Sequence, residues 1–145
     1  MNMYMNNKNR IKTAVTILIT GLIFAFAGCN STKEIPDTYT APQLLQRGQA
    51  SLDSSDYKTA EKYFLKTIQQ YGDDISTYIE AKYELGHLYI KTKSYEKAYN
   101  TLSEILELYD YDMTGSLPPA YKKLAQIEMD KIPLAKLEEY QNASR

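Results

Sequence analysis

The sequence contains one cysteine, Cys29, and one histidine, His87, and their chemistry is tested first. A zinc site needs three or four ligands from Cys, His and carboxylate side chains. With Cys29 assigned below to another role, the supply is one histidine plus acids. His87 could act as the base of a Ser-His-Asp triad, but no Gly-x-Ser-x-Gly motif accompanies it. We therefore predict no metal, no cofactor and no catalytic residue, and we expect that the protein is not an enzyme.

The segment DYDMTG, Asp110 to Gly115, is a second candidate site because its acidic residues alternate as in a calcium loop. An EF-hand loop has acidic or amide side chains at positions 1, 3 and 5, Gly at 6 and Glu at 12. Asp110, Asp112 and Gly115 fit, Thr114 is a weak ligand, and Tyr121 stands where the closing Glu belongs. A capping turn between two helices explains the same residues, and we favour that interpretation.

Charge is distributed unevenly along the chain. Residues 1–28 contain three basic residues and no acidic one, so the remainder carries 14 basic against 18 acidic residues. Nucleic-acid binding depends on neutralising phosphates with Lys and Arg, and we expect no nucleic-acid partner. The adjacent carboxylates Asp73-Asp74 and Glu138-Glu139 do not face each other on a helix. They are expected at a helix start or on a solvated face.

The amino terminus divides into a basic polar stretch, MNMYMNNKNRIK, and an apolar stretch, TAVTILITGLIFAFAG. This order is typical of a secretory signal, and the apolar part is short for a helix that must cross about 30 Å of hydrocarbon. The residues before Cys29, Phe26-Ala27-Gly28, resemble the lipobox of bacterial lipoproteins, although Phe26 stands where Leu is commonest.

This resemblance implies that residues 1–28 are a cleaved lipoprotein signal peptide and that Cys29 carries lipid such as palmitate. Two or more acyl chains anchor a protein stably at a membrane, whereas one does so only marginally. The alternative is an uncleaved signal anchor with an incidental cysteine. Residues 29–42 are polar and contain Ser, Thr and Pro, so they are predicted to form a flexible tether. Asn30 after the cysteine is compatible with the sorting of enterobacterial lipoproteins to the outer membrane.

Two segments of the remaining chain, 47–68 and 85–106, align at a constant offset of 38 residues. The corresponding residues are Gly48 and Gly86, Tyr57 and Tyr95, Ala60 and Ala98, Phe64 and Leu102, and Ile68 and Leu106. A glycine inside a helix costs about 1 kcal/mol relative to alanine. The recurrence of glycine therefore indicates that a neighbouring helix passes too close for a side chain.

Both segments resemble the tetratricopeptide repeat (TPR). The second fits the pattern better, with Ala81, Leu85, Gly86, Tyr89, Tyr95, Ala98 and Leu102. The first departs at Arg47 and Ser51, where Leu and Tyr are expected, and the loop GDDIST lengthens the spacing beyond the usual 34 residues. The resemblance implies an all-α domain at residues 43–142, a short TPR-like solenoid of two helical hairpins followed by a closing helix pair.

The apolar spacing predicts where the helices of this domain begin and end. Thr77 with Glu80 has the spacing of a capping box and is predicted to open the second repeat. After the two hairpins, a third helix of the first (A) type is expected from Leu117 to near Ile132, and a last helix from Leu134 to about Gln141. The apolar residues of these two helices are Leu117, Tyr121, Leu124, Ile127, Met129, Leu134, Leu137 and Tyr140. About three repeats are usually needed for stability, so we expect support from a partner or from homodimerisation.

The TPR resemblance also implies a concave groove in which a protein or peptide partner binds. Its predicted lining consists of Gln49, Asp53, Tyr83, His87, Lys91, Tyr121 and Glu128. Such a mixed polar and aromatic surface suits an extended peptide or a partner helix. It differs from the carboxylate clamp of chaperone-binding members, since Leu45 and Gln49 replace its Lys and Asn. The alternative for His87 is a solvated or hydrogen-bonded helix residue, and the other tyrosines are expected at helix contacts.

Together these patterns predict a membrane-anchored, non-enzymatic TPR lipoprotein that acts as a protein–protein interaction scaffold in the bacterial cell envelope. It would face the periplasm or the cell exterior, and outer-membrane or envelope assembly is the candidate process. The pattern is similar to that of BamD-type lipoproteins and of the Tol-Pal-associated coordinator, although the former have about twice as many repeats. The alternative is an accessory subunit that binds a small ligand, peptide or peptidoglycan fragment for an envelope enzyme or transporter.

Overall fold

A computed structural model describes residues 34–143, which form six α-helices. The helices are α1 (Ala41–Asp53), α2 (Tyr57–Tyr71), α3 (Ile75–Lys91), α4 (Tyr95–Tyr111), α5 (Pro119–Met129) and α6 (Leu134–Ala143). The described part of the chain has no strand. The predicted fold class is therefore confirmed: this is a short TPR-like solenoid of helical hairpins.

The helices pack as hairpins placed side by side. α1 packs on α2 and α3 packs on α4, and the two hairpins meet where α2 contacts α3. α5 packs on both α4 and α3, and α6 lies against α4. The first helices of the hairpins, α1, α3 and α5, thus stand in one row, with α3 in contact with both others. This row carries the candidate site.

Close approach inside each hairpin explains the two recurring glycines. A Cβ placed on Gly48 would lie 2.4 Å from Cε1 of Phe64, and one on Gly86 would lie 2.6 Å from Cδ2 of Leu102. Phe64 and Leu102 are fully buried at corresponding positions of α2 and α4. The interpretation of the glycines as points of close helix contact is confirmed, and the large side chain facing each glycine fills the space that its missing Cβ leaves.

The turns inside the two hairpins have the same backbone conformation and the same hydrogen bond. Ser55 and Lys93, 38 residues apart, both have a left-handed backbone, with φ of 63° and 59°. In each turn the next residue donates its N–H to a carbonyl five residues earlier, from Asp56 to Ser51 and from Ser94 to Tyr89. Neither left-handed residue is a glycine, so each turn costs roughly 1–2 kcal/mol of backbone strain.

An aspartate caps the start of both α2 and α3, which differs from the prediction for α3. The N-cap of α3 is Asp74, whose Oδ1 accepts the N–H of Thr77 at 2.8 Å, so the prediction that Thr77 is the cap was wrong. Asp56 caps α2 in the same way through the N–H of Thr59. These hydrogen bonds lower the pKa of both aspartates. The expectation that Asp74 belongs to a helix start is confirmed.

The DYDMTG segment contains the last two residues of α4 and a turn organised by one aspartate. Asp112 Oδ2 accepts the N–H of Leu117 at 3.0 Å, while Oδ1 accepts the N–H groups of Thr114 and Ser116 at 3.2 and 3.3 Å. The bond from Leu117 and the others lower the pKa of Asp112 to about 2. The interpretation of this segment as a turn between two helices is confirmed, because the carboxylate is occupied by backbone donors.

The closing pair differs from its prediction in detail. α5 ends at Met129, earlier than the expected Ile132, and its residue Ile127 is 45% exposed while Glu128 is buried. Helical periodicity explains this result, since Tyr121 and Glu128 are seven residues apart and share a face. Leu134, the first residue of α6, is 70% exposed rather than packed. Further along α6, Leu137 and Tyr140 pack against the core, and Tyr140 meets the Tyr99 ring at 5.7 Å.

The end of the predicted tether is part of the folded unit. Asp37 pairs with Lys66 of α2, and its carbonyl accepts a hydrogen bond from Gln70 at 3.3 Å. The Tyr71 hydroxyl donates to the carbonyl of Tyr39 at 2.6 Å. The helical unit accordingly starts at Ile35 instead of residue 43. The predicted signal peptide and Cys29 lie outside the described residues.

None of the helices within residues 34–143 combines the length and the apolar character needed to span a membrane.

The close contact at Gly86 predicts whether replacing this glycine with alanine stabilises or destabilises the protein. Helix propensity alone would make Gly86→Ala stabilising by about 1 kcal/mol. Overpacking against Leu102 typically costs 1–3 kcal/mol, so we expect the substitution to lower the free energy of unfolding, measured by urea denaturation.

The control is the double-mutant cycle with Leu102→Ala, which removes the side chain that the new methyl group meets. In that background Gly86→Ala should become neutral or stabilising, since the two residues are directly coupled. A stabilising effect of Gly86→Ala in the otherwise unchanged protein would contradict the close-contact interpretation.

Candidate functional site

The row of α1 and α3 forms an open cleft of about 290 Å³. Its lining consists of Gln49, Leu52 and Asp53 from α1, and Tyr83, Glu84 and His87 from α3. Leu52 is only 4% exposed and supplies an apolar side chain among polar neighbours. Gln49 Nε2 donates to Glu84 Oε1 at 3.0 Å and so bridges the two helices.

Residues of α5 continue this surface beyond α3. The ring of Tyr121 lies 5.5 Å from that of Tyr83 at a tilt of 57°, and Tyr83 stacks on His87 at 6.4 Å. Glu128 Oε1 lies 3.0 Å from His87 Nδ1. We call the cleft together with Tyr121 and Glu128 the groove. Three helices contribute to it, so its shape depends on how the hairpins stack.

Glu128 is an unusual member of the groove because its carboxylate is only 4% exposed. Its Oε1 accepts a hydrogen bond from Lys131 Nζ at 2.7 Å besides contacting His87, whereas its Oε2 is buried without a hydrogen-bond partner. A buried charge is tolerated where it is paired and hydrogen-bonded. Lys131, just beyond the end of α5, therefore compensates this carboxylate, and the contact with His87 joins α5 to α3.

Burial and nearby negative charge raise the pKa of titratable groups in and beside the groove. Burial raises the pKa of Tyr83, and the nearby charges of Glu128 and Glu84 raise it further. Burial and then Glu80 and Glu84 raise the pKa of Tyr121 to about 12. The pKa of Glu80 is raised by burial and by Glu84. Both tyrosines are therefore neutral hydrogen-bonding groups at pH 7, set in a negative potential.

The structure brings together six of the seven residues predicted to line the groove. Gln49, Asp53, Tyr83 and His87 line the cleft, and Tyr121 and Glu128 adjoin it through ring and polar contacts. Lys91 is exposed in the last turn of α3. Within the described residues, no hydrogen bond, ion pair or ring contact connects Lys91 to the other six. That these residues bind a partner stays a prediction.

Sequence reasoning missed three members of this site. Glu84 lines the cleft, Leu52 forms its apolar part, and Lys131 neutralises Glu128. Glu84 was detectable, because it lies four residues after Glu80 and three before His87, on the same helix face. Lys131 gave a weaker signal, since it lies beyond the end of α5 and only the turn after the helix returns it to Glu128.

The groove offers carboxylates, an amide, an imidazole and two phenols around a small apolar surface. Residues 34–143 contain no group of three or more His, Cys, Asp and Glu side chains arranged to hold a metal ion. The imidazole of His87 is engaged by a carboxylate at Nδ1, and a ring stacks near it. These groups can bind polar and cationic ligands through hydrogen bonds, ion pairs and stacking.

Comparison with known proteins identifies a relative but no described family. No protein-family model matches the chain, and no solved structure matches it. The chain is 33% identical over 117 residues to an uncharacterized protein of Treponema pallidum (strain Nichols). The alignment covers 79% of this chain and 46% of the relative, so the chain spans about half the length of that curated protein.

The burial of Glu128 beside Lys131 predicts which of two substitutions, Lys131→Met or Glu128→Gln, destabilises the protein more. Lys131→Met leaves the carboxylate buried without its cation, and we expect a loss of about 1–3 kcal/mol in the free energy of unfolding. Glu128→Gln removes the buried charge but keeps an acceptor for Lys131 and His87, so its cost should be smaller. Urea denaturation at pH 7 of both variants measures the order.

Lys123→Met is the matched control for Lys131→Met, because Lys123 is an exposed lysine of α5 and its loss should change stability little. If Lys131→Met and Lys123→Met were equally mild, the buried ion pair would not stabilise the attachment of α5.

Proposed function

We propose that this chain is a membrane-anchored, non-enzymatic TPR lipoprotein that acts as a protein–protein interaction scaffold in the bacterial cell envelope. The groove along α1, α3 and α5 carries the proposal, because it is a continuous polar and aromatic surface on a row of stacked helices. Helical hairpin solenoids use such concave surfaces to bind extended partners. The likeness to tetratricopeptide lipoproteins supports the assignment to the envelope, with outer-membrane or envelope assembly as the process.

The groove has side chains fixed by internal contacts at its centre and exposed polar side chains at its edge, which supports a docking role. Tyr83, Tyr121 and Glu128 are held by contacts within the protein, so a partner would meet an arranged surface. Gln49 and Asp53, by contrast, are exposed at the edge. Preformed aromatic side chains with a polar rim are typical of protein-binding sites.

The anchor is the second half of the proposal and is tested independently. If Cys29 is acylated, cells fed a labelled palmitate analogue should incorporate the label into the wild-type protein and not into Cys29→Ser. The wild type should partition into the membrane fraction. Mass measurement of its amino terminus should place Cys29 first. Recovery of an intact, unlabelled precursor would contradict lipidation and favour the uncleaved anchor.

The docking role predicts that partner contact is confined to the groove. A photoreactive phenylalanine derivative at Gln46, which is exposed one turn before Gln49 on α1, should crosslink a discrete partner in native membranes, while the same probe at exposed Glu107 on α4 should not. Tyr83→Ala should abolish the Gln46 adduct because it removes the aromatic wall beside the cleft. Circular dichroism checks that the variant stays folded.

Equal adducts from both positions, or an adduct insensitive to Tyr83→Ala in a folded protein, would contradict groove docking.

The volume of the cleft supports a second candidate function. About 290 Å³ is near the lower limit of small-molecule sites, which suits an accessory subunit that binds a small ligand, peptide or peptidoglycan fragment. Such a ligand must raise the melting temperature by mass action. A shift with muropeptides that is lost in Tyr83→Ala would favour this candidate over the scaffold.

A further inference from the structure

Two half-buried glutamates of α3 have no cationic partner, whereas the other half-buried acids of the described residues pair with a lysine or cap a turn. Glu80 and Glu84 are both half-buried. Within residues 34–143, no lysine or arginine pairs with either one, and Glu84 has only the amide of Gln49 as a hydrogen-bond donor. The other acids without a cationic partner, such as Glu107 and Glu138, are exposed, or they cap a helix or turn.

This arrangement costs the fold stability. Glu80 and Glu84 are four residues apart on α3, where like charges repel, and the effect is visible in the raised pKa of Glu80, caused by burial and by Glu84. Asp53 adds a third carboxylate at the cleft, again with no cationic partner in the described part of the chain. The fourth, Glu128, has one oxygen buried without a hydrogen bond.

A site formed by α2, α3 and α4 shows how this protein compensates a half-buried carboxylate elsewhere. Glu61 accepts the hydroxyl of Tyr89 at 2.7 Å and pairs with Lys97 at 3.2 Å, and the ammonium lies 5.0 Å from the Tyr89 ring centre. A cation is thus held between a carboxylate and an aromatic ring.

A second site repeats the arrangement. Glu104 accepts the hydroxyl of Tyr78 and pairs with Lys82, whose ammonium lies 5.4 Å from the Tyr78 ring centre. The groove has the same two components in the rings of Tyr83 and Tyr121 and in the carboxylate of Glu84, but within residues 34–143 no lysine or arginine pairs with Glu84.

We propose that the groove binds a positively charged side chain, arginine before lysine, from an extended segment of a partner protein. The head group lies beside Tyr83 and Tyr121 and pairs with Glu84 and Asp53. This inference rests on the proposed docking function and names the chemistry of its partner. Arginine is favoured because its planar guanidinium can pair with two carboxylate oxygens and stack on a ring, whereas lysine offers a point charge.

The cleft also matches the size of this occupant. Its volume of about 290 Å³ suits one long side chain rather than a folded element, and recognition of an extended segment through pockets for single side chains is a common mode of peptide binding.

The experiment uses the full chain in mild detergent and a fluorescein-labelled nonapeptide of alanine and serine that carries two arginines. The matched probe has citrulline at both positions, which keeps the shape and removes the charge. By fluorescence anisotropy at 50 mM salt, we expect the arginine peptide to bind at least about tenfold more tightly, as for hydrogen bonds to charged groups. A lysine version should bind with intermediate affinity.

Two double variants with equal net charge separate the groove from general electrostatics. Asp53→Asn with Glu84→Gln should weaken binding of the arginine peptide about tenfold. Glu107→Gln with Glu138→Gln removes two exposed carboxylates outside the groove and should leave the affinity within about twofold, since surface charges act weakly in salt. Asp53→Asn combined with Glu84→Asp, which keeps the charge at position 84, should bind more tightly than Asp53→Asn combined with Glu84→Gln.

Equal affinity for the arginine and citrulline peptides would overturn the inference, and so would equal losses in the two double variants. Binding of N-acetyl-argininamide alone, as tight as the peptide, would assign the site to a free cationic metabolite and overturn the peptide claim. If the Gln46 crosslink forms while the arginine peptide fails to bind, the scaffold function stands and only this inference falls. If the peptide binds and no crosslink forms, the preference of the groove for a cationic side chain stands, but the scaffold function falls and with it the claim that the side chain comes from a partner protein.

Discussion

The close contact between a glycine and a large side chain inside each hairpin is the constraint on which the rest of the structure depends. Gly48 against Phe64 and Gly86 against Leu102 fix the separation and rotation of the two helices in each hairpin. Because interiors are close-packed, such contacts cannot be relaxed gradually. Because the two hairpins have the same internal geometry, stacking one on the other places the faces of α1 and α3 side by side. The cleft lies between these two faces.

Charge is divided between the two sides of this stack. Away from the groove, lysines neutralise glutamates across neighbouring helices, as between Lys97 and Glu61 and between Lys82 and Glu104. The groove face retains half-buried carboxylates without cations, at a cost to stability. Binding surfaces commonly keep groups that folding alone would not favour. The same contrast is the basis for the proposed cationic partner.

The far end of the groove depends on how the closing pair is attached. α5 brings Tyr121 to Tyr83, and the buried carboxylate of Glu128 lies between His87 and Lys131. α6 contacts α4, with Tyr140 against Tyr99, and it buries little apolar surface. A solenoid gains stability from each interface between neighbours. The third helix of the groove, α5, is therefore supported by fewer buried side chains than α1 and α3.

The sequence by itself determined the helical class, the 38-residue repeat and the close contacts at its glycines, because the period of apolar and small residues directly reflects helix packing. It also identified six of the residues that meet around the groove. Only the tertiary structure decided that Asp74 rather than Thr77 caps α3, and that Ser55 and Lys93 adopt left-handed turns. It alone revealed that Glu84 lines the cleft without a cation and that Lys131 returns to a buried Glu128. The cleft depends on distances between segments far apart in the chain, and the turns depend on backbone angles that ordinary side chains rarely adopt. The Asp74 cap and the return of Lys131 are short-range contacts, but they depend on the residue at which a helix begins or ends, which the apolar period does not determine.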